Sequence, residues 1–180
     1  MNKLIGNLII KFICKADREL RSSLFNSLEE NYFSQKYKRY RERYKINSDF
    51  RFNGLYINFY GEGELICGSN SYIGNFSTIQ INKGCKVSIG NNCAISHNVR
   101  IYTESYEADQ DFNQIQDKAF YKGNVIIGDG VWIGANVLIN PNVTIGDNVV
   151  IGANSVVTKD LMPFSVYGGV PAKLIRSKSK

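Results

Sequence analysis

Between residues 127 and 162 a branched aliphatic returns every six residues: Ile127, Ile133, Ile139, Ile145, Ile151 and Val157. Four residues after each stands a small or branched side chain, Val131, Val137, Val143, Val149 and Ser155, or the larger Leu161. The position after each anchor is Gly128, Gly134, Asn140, Gly146, Gly152 or Thr158, and polar or turn-forming residues fill most of the rest. A six-residue unit is too long for a helical turn and breaks strict strand alternation, so each unit is predicted to be a short strand plus a corner. Local alternation puts the anchor inside and its neighbours outside, while Gly, Asn and Asp supply the backbone angles of the corner. Three units close one triangular coil, and stacked coils pair their strands in parallel, as in a β-helical solenoid.

The same pattern begins earlier and less regularly. Anchors fall at Ile57, Ile73, Ile79, Ile81, Val87, Ile89, Ile95 and Ile101, with steps that are not all six, so some corners carry extra residues. Residues 102–124 break the repeat with a run of aromatic and acidic residues, and an interruption of that length inside a solenoid is usually functional. Before the repeat, Leu20, Leu24, Leu28 and Tyr32 recur every four residues and predict an amphipathic helix over 17–33. The division is therefore an N-terminal helical and basic extension (1–49), a β-helix (50–162) with its inserted loop 102–124, and a C-terminal turn and basic tail (163–180).

Composition changes this picture little. With 43% hydrophobic and 21% charged residues in 180, the chain reads as a soluble globular domain with extensions. Its net charge of +6 favours anionic partners such as nucleotide phosphates or sugar nucleotides. No recognised nucleic-acid-binding motif accompanies that charge, which excludes nucleic acid as the expected partner. Cys14, Cys67, Cys85 and Cys93 lack CxxC spacing and are expected as reduced thiols of a cytoplasmic protein, with Cys93 packed inside. The apolar run Ile5 to Ile13 is too short and interrupted to span a bilayer, and it lacks a signal-peptide cleavage site. Two readings stand for residues 1–45: peripheral membrane association through an interfacial helix and the basic, tyrosine-rich run 35–45, or packing on the solenoid or a neighbouring subunit.

The hexapeptide run, together with the closing Gly169-Val170-Pro171-Ala172 and basic tail, resembles the hexapeptide-repeat acyltransferases over residues 57–178. It is similar to the sugar and polysaccharide O-acetyltransferases of the maltose, galactoside and capsule type. That resemblance implies an all-β, left-handed parallel β-helix, a homotrimer, acetyl-CoA as acyl donor without a metal, and a sugar, sugar-nucleotide or glycan acceptor in surface-glycan biosynthesis. It also implies that the loop reaches over an adjacent subunit and helps wall the active site. An N-acetyltransferase on a nucleotide-linked amino sugar, or a non-catalytic binding scaffold, are the alternatives.

Acyl transfer from a thioester needs a base for the acceptor proton, a donor for the oxyanion and a hold on the acyl carrier. His97, the only histidine, stands at an outward corner one strand before the loop, in a setting similar to the catalytic histidine of nucleotide-sugar N-acetyltransferases. The O-acetyltransferases instead carry a histidine within the loop, in segments like T-x-x-H, and Thr103-Glu104-Ser105-Tyr106 places Tyr106 there. The base is therefore His97 or an acidic loop residue, with Glu104 or Glu107 available to orient the imidazole. In the family the acyl carrier touches the later coils. The matching positions are Trp132, Gly134 and Ala135, then Gly152, Ala153 and Ser155, then Thr158 and Lys159, with Lys173 and Arg176 toward its phosphates. A backbone N–H near Gly134 is the expected oxyanion donor.

Overall fold

The computed structural model describes residues 3–113 and 118–179. The chain divides at Lys38/Arg39 into two compact units. In the first, helix α1 (Lys3–Lys15) is followed by α2 (Arg18–Arg43), whose last turn lies in the second unit. Asp17 caps α2, accepting the Leu20 N–H on its carboxylate at 2.8 Å. Leu20, Phe25, Leu28 and Tyr32 are exposed along it, as are Leu8, Ile10 and Phe12 on α1. The predicted helix over 17–33 thus runs on through the basic stretch as one element. Lys, Arg, Glu and Gln are all good helix formers and extend it without a break.

The second unit is a parallel β-helix of about five coils. Each coil contributes a strand to three sheets, here called the first, second and third faces. The first face stacks Lys45–Ile46, Glu64–Cys67, Lys86–Ile89, Val125–Ile127 and Val143–Ile145. The second stacks Arg51–Asn53, Tyr72–Gly74, Ala94–Ile95, Trp132–Ile133, Val150–Ile151 and Ser165–Gly168, and the antiparallel strand Lys173–Ser177 closes its edge. The third stacks Asn58–Tyr60, Thr78–Gln80, Arg100–Ile101, Leu138–Ile139 and Val156–Val157. The first coil starts at Lys45, slightly before the expected residue 50: Lys45–Ile46 pairs with Ile66–Cys67, and the Lys45 ammonium lies 2.9 Å from Glu64.

Periodicity and interior agree. Ile73, Ile95 and Ile133 are wholly buried and Ile151 nearly so, one above another on the second face, and Ile79, Ile101, Ile139 and Val157 form the same column on the third. Each such side chain gives roughly 1.5–3 kcal/mol through burial. Cys93 is also buried, as expected from its place in the repeat.

The corner from the second to the third face is made by Tyr56, Phe76, Asn98, Asn136 and Asn154, all with φ between 53° and 61°. Asparagine adopts this left-handed region readily. Asn98 donates its amide to Asn136 at 2.9 Å, and Asn136 to Asn154 at 3.0 Å. Aromatic residues adopt it at a cost of roughly 1–2 kcal/mol each. The Tyr56 and Phe76 rings stack at 5.2 Å with planes 10° apart.

Both ends of the solenoid are closed. At the start, Tyr40 lies on Phe59 (4.9 Å between ring centroids), and its hydroxyl accepts the Phe59 N–H at 2.9 Å. Arg41 donates to the Asn47 carbonyl at 2.7 Å and to that of Phe50, and Arg43 donates to that of Gly61 at 2.6 Å. This part of the basic, tyrosine-rich run covers the first coil. At the far end the Ser165–Gly168/Lys173–Ser177 hairpin completes the second face. The 102–124 insertion carries a hairpin of its own, Glu104–Tyr106 against Phe120–Lys122.

Candidate functional site

His97 is exposed at the corner between the second and third faces. Its carbonyl accepts the Asn136 N–H at 3.0 Å, as the Asn75 carbonyl accepts that of Asn98 at 2.8 Å and the Ala135 carbonyl that of Asn154 at 2.9 Å. Residues 75, 97, 135 and 153 therefore form one row across consecutive coils, at a spacing of roughly 4.8 Å. The His97 imidazole leans over Gly74: a Cβ on that glycine would lie 2.8 Å from Nδ1. Glycine leaves the room that the ring occupies.

The row continues onto a strip of small residues. Gly134 and Ala135, then Gly152 and Ala153, follow Trp132 and Val150 on paired strands, and the Trp132 indole is 56% exposed. Coils stack so closely here that a Cβ on Gly134 would sit 2.6 Å from the Ala153 nitrogen. Gly168 extends the strip into the terminal hairpin, whose second strand presents Lys173 and Arg176 to solvent. Five of the expected carrier-binding positions, Trp132, Gly134, Ala135, Gly152 and Ala153, with the basic pair farther along the same sheet, thus lie on the coils that follow His97.

Three expectations look different in three dimensions. The Gly134 N–H donates to the Ile151 carbonyl at 2.8 Å, so the ladder consumes the expected oxyanion donor. Ser155 is wholly buried, donating to the Gly152 carbonyl at 2.6 Å and accepting the Gly169 N–H at 3.1 Å, so its hydroxyl ties the terminal turn to the coil. Thr158 and Lys159 are exposed beyond the third-face strand Val156–Val157, away from the second-face strip.

Glu104 and Tyr106 lie at the other end of the third face. His97 and Glu104 are separated by a corner and an extended strand, roughly 15–20 Å of chain. Glu104 pairs instead with Lys122 at 2.6 Å, and that hydrogen bond and charge raise the pKa of the Lys122 ammonium. Tyr106 is held among Phe120 (4.5 Å), Phe112 (5.8 Å) and the Lys118 ammonium (5.5 Å). Within one chain Glu104 does not orient His97.

Sequence reasoning missed what faces this hairpin. Tyr60, Gln80 and Tyr102 follow the buried anchors Phe59, Ile79 and Ile101, and with Glu104, Tyr106 and Phe120 they line a cleft of ≈390 Å³. Burial, reinforced by neighbouring Tyr102, raises the Tyr60 pKa above the ordinary phenol value. Gln80 Oε1 is buried with no hydrogen-bond partner. The signal available was three polar or amphipathic residues at the same outward position on consecutive coils, directly before the insertion.

Residues 124–159 match the family model described as bacterial transferase hexapeptide (six repeats). A maltose O-acetyltransferase from Clostridium difficile 630 is 30% identical, with 94% of this chain and 89% of that one covered and a TM-score of 0.62. A galactoside acetyltransferase in complex with coenzyme A is 29% identical over 98% of this chain and 80% of that one, with a TM-score of 0.67. A hexapeptide-repeat acetyltransferase from Vibrio cholerae O1 biovar eltor, complexed with acetyl coenzyme A, is 27% identical over 92% of each chain, with a TM-score of 0.66.

Proposed function

The chain belongs to the hexapeptide-repeat acetyltransferases, and from that premise we propose that it moves an acetyl group from acetyl-CoA to a sugar hydroxyl. The observation that carries this reading is the row holding His97, Ala135 and Ala153, with the lone histidine one coil before the exposed small-residue strip. The fit to the acyl carrier is good. The strip offers a flat backbone surface, Trp132 an exposed ring beside it, and Lys173 and Arg176 two exposed cations for phosphates. Lys159 serves the same carrier from a neighbouring copy.

In the reaction, a His97 ring nitrogen takes the proton of the acceptor hydroxyl as its oxygen bonds to the thioester carbonyl carbon. The tetrahedral intermediate then expels the CoA thiolate, which receives that proton, leaving the acetyl ester. The oxyanion donor is a group other than the Gly134 N–H. Maltose and galactoside acetyltransferases among the similar structures favour a sugar hydroxyl over an amine. The separation of His97 from Glu104 and Tyr106 further supports a homotrimer. The second-face row of one copy then meets the hairpin and its cleft from the next, so that each site is built by two chains.

The test is CoA release from acetyl-CoA across a panel of sugars and sugar nucleotides, comparing the wild type with His97→Ala. A fall of about 100-fold or more is expected, the contribution of a general base. Equal rates would move the base into the 102–124 insertion, and failure of the wild type to bind acetyl-CoA would end the transferase reading.

A further inference from the structure

The corner line beside His97 holds two residues that its geometry does not favour. Of the five left-handed positions there, Asn98, Asn136 and Asn154 suit the backbone and hydrogen-bond to one another, whereas Tyr56 and Phe76 bring bulky rings to a backbone that disfavours them. Bulky residues at positive φ persist where the surrounding structure imposes them, and such strain clusters at ligand sites. Here the rings are also exposed, Tyr56 at 45% and Phe76 at 56%, and their stacking makes one apolar platform. The platform lies in register with the candidate site. Phe76 is two residues beyond Gly74, the glycine over which the His97 imidazole leans, and the Phe76 N–H bonds to the Leu55 carbonyl in the same ladder that places His97 under Ala135.

We infer that Tyr56 and Phe76 form the acceptor subsite, stacking against the apolar C–H face of a sugar ring and so presenting its hydroxyl to His97. This rests on the sugar-acetyltransferase reading and adds to it the surface that would hold the ring. The chemistry follows from the shape. An aromatic face is flat, apolar and weakly negative, and a pyranose presents a matching face of polarised C–H groups. Its hydroxyls stay at the rim, within reach of polar side chains on the same corner. The carrier strip lies on the coils after His97 and the platform on the coils before it, which places the base between donor and acceptor.

The test uses the intact protein, with maltose and methyl β-galactoside as probes, and follows the Tyr56 and Phe76 ring signals by NMR. Both rings are expected to shift on titration. Phe76→Asn and Tyr56→Asn replace each ring by the residue this corner uses elsewhere, so the thermal midpoint should hold or rise. Sugar affinity should weaken about 5- to 10-fold, and acetyl-CoA affinity should stay unchanged. Rings unmoved by either sugar, or variants that lose stability yet keep wild-type sugar affinity, would overturn the platform and leave a structural stack. Failure of this inference is separable from failure of the transferase reading. Acetyl transfer with unmoved rings removes only the platform, whereas ring shifts without any transfer remove only the chemistry.

Discussion

Cys67 and Cys93 show how a repeat position decides a side chain's chemistry. Each points into the narrow interior, where removal from water disfavours the thiolate and raises the thiol pKa. For Cys93, hydrogen bonds from its surroundings offset that rise only in part. The thiolate is the nucleophile, so a raised pKa lowers reactivity at any given pH below it. At pH 8 a thiol reagent is therefore expected to label exposed Cys14 quickly and to reach Cys67 and Cys93 only on unfolding. Mass spectrometry of the labelled peptides checks this, and rapid labelling of Cys93 in the folded protein would contradict its placement. His97 stands four positions after Cys93 on the same coil and is exposed to solvent. Its exposure was legible from the repeat, because an outward position follows every anchor. Its neighbour on the adjacent row, Phe76, was not. Nothing in the local sequence marks an aromatic residue as a left-handed corner, since that signal is carried by Gly and Asn.

Among the elements, the hexapeptides after residue 125 were readable because each corner there has the same length. The earlier coils were less so: their corners vary, and only the buried anchors keep the period. α2 looked like two segments because its leucine spacing ends where the basic residues begin, yet helix propensity carries it to Arg43. The end of that helix serves the β-helix directly through Tyr40. Tyr40→Phe keeps the ring stacked on Phe59 and removes the hydroxyl that accepts the buried Phe59 N–H. A loss of about 1–3 kcal/mol is expected from leaving that donor unpaired, read as a lower urea midpoint with an unchanged m-value. The hairpin within 102–124 was unforeseen, since Glu104–Tyr106 and Phe120–Lys122 are joined by cross-strand contacts rather than by any repeat. A Tyr106–Phe120 pair directly opposite each other, with Glu104 opposite Lys122, is the kind of pairing that holds such a ribbon together.

For the molecule as a whole, the candidate site was half visible. Sequence named His97 and the second-face strip, but the cleft by Tyr60, Gln80 and Tyr102 depends on which corner the hairpin folds over. In the proposed homotrimer of 20.3 kDa chains, both halves would meet at each interface. Co-assembled His97→Ala and Tyr106→Ala chains are then expected to recover activity that neither variant shows alone, because some interfaces in the mixture pair an intact corner with an intact hairpin. Light scattering fixes the subunit number, and absence of recovery from confirmed mixed assemblies would put the whole site within one chain. The closed ends of the solenoid have a further consequence. Coil stacks on coil through parallel ladders with no intrinsic stopping point, so an open end is a template onto which another copy's end coil can dock. The Tyr40 cover on the first coil and the antiparallel Lys173–Ser177 strand at the last present surfaces that a parallel strand cannot extend. They let a protein built like a segment of fibre remain a particle of fixed size.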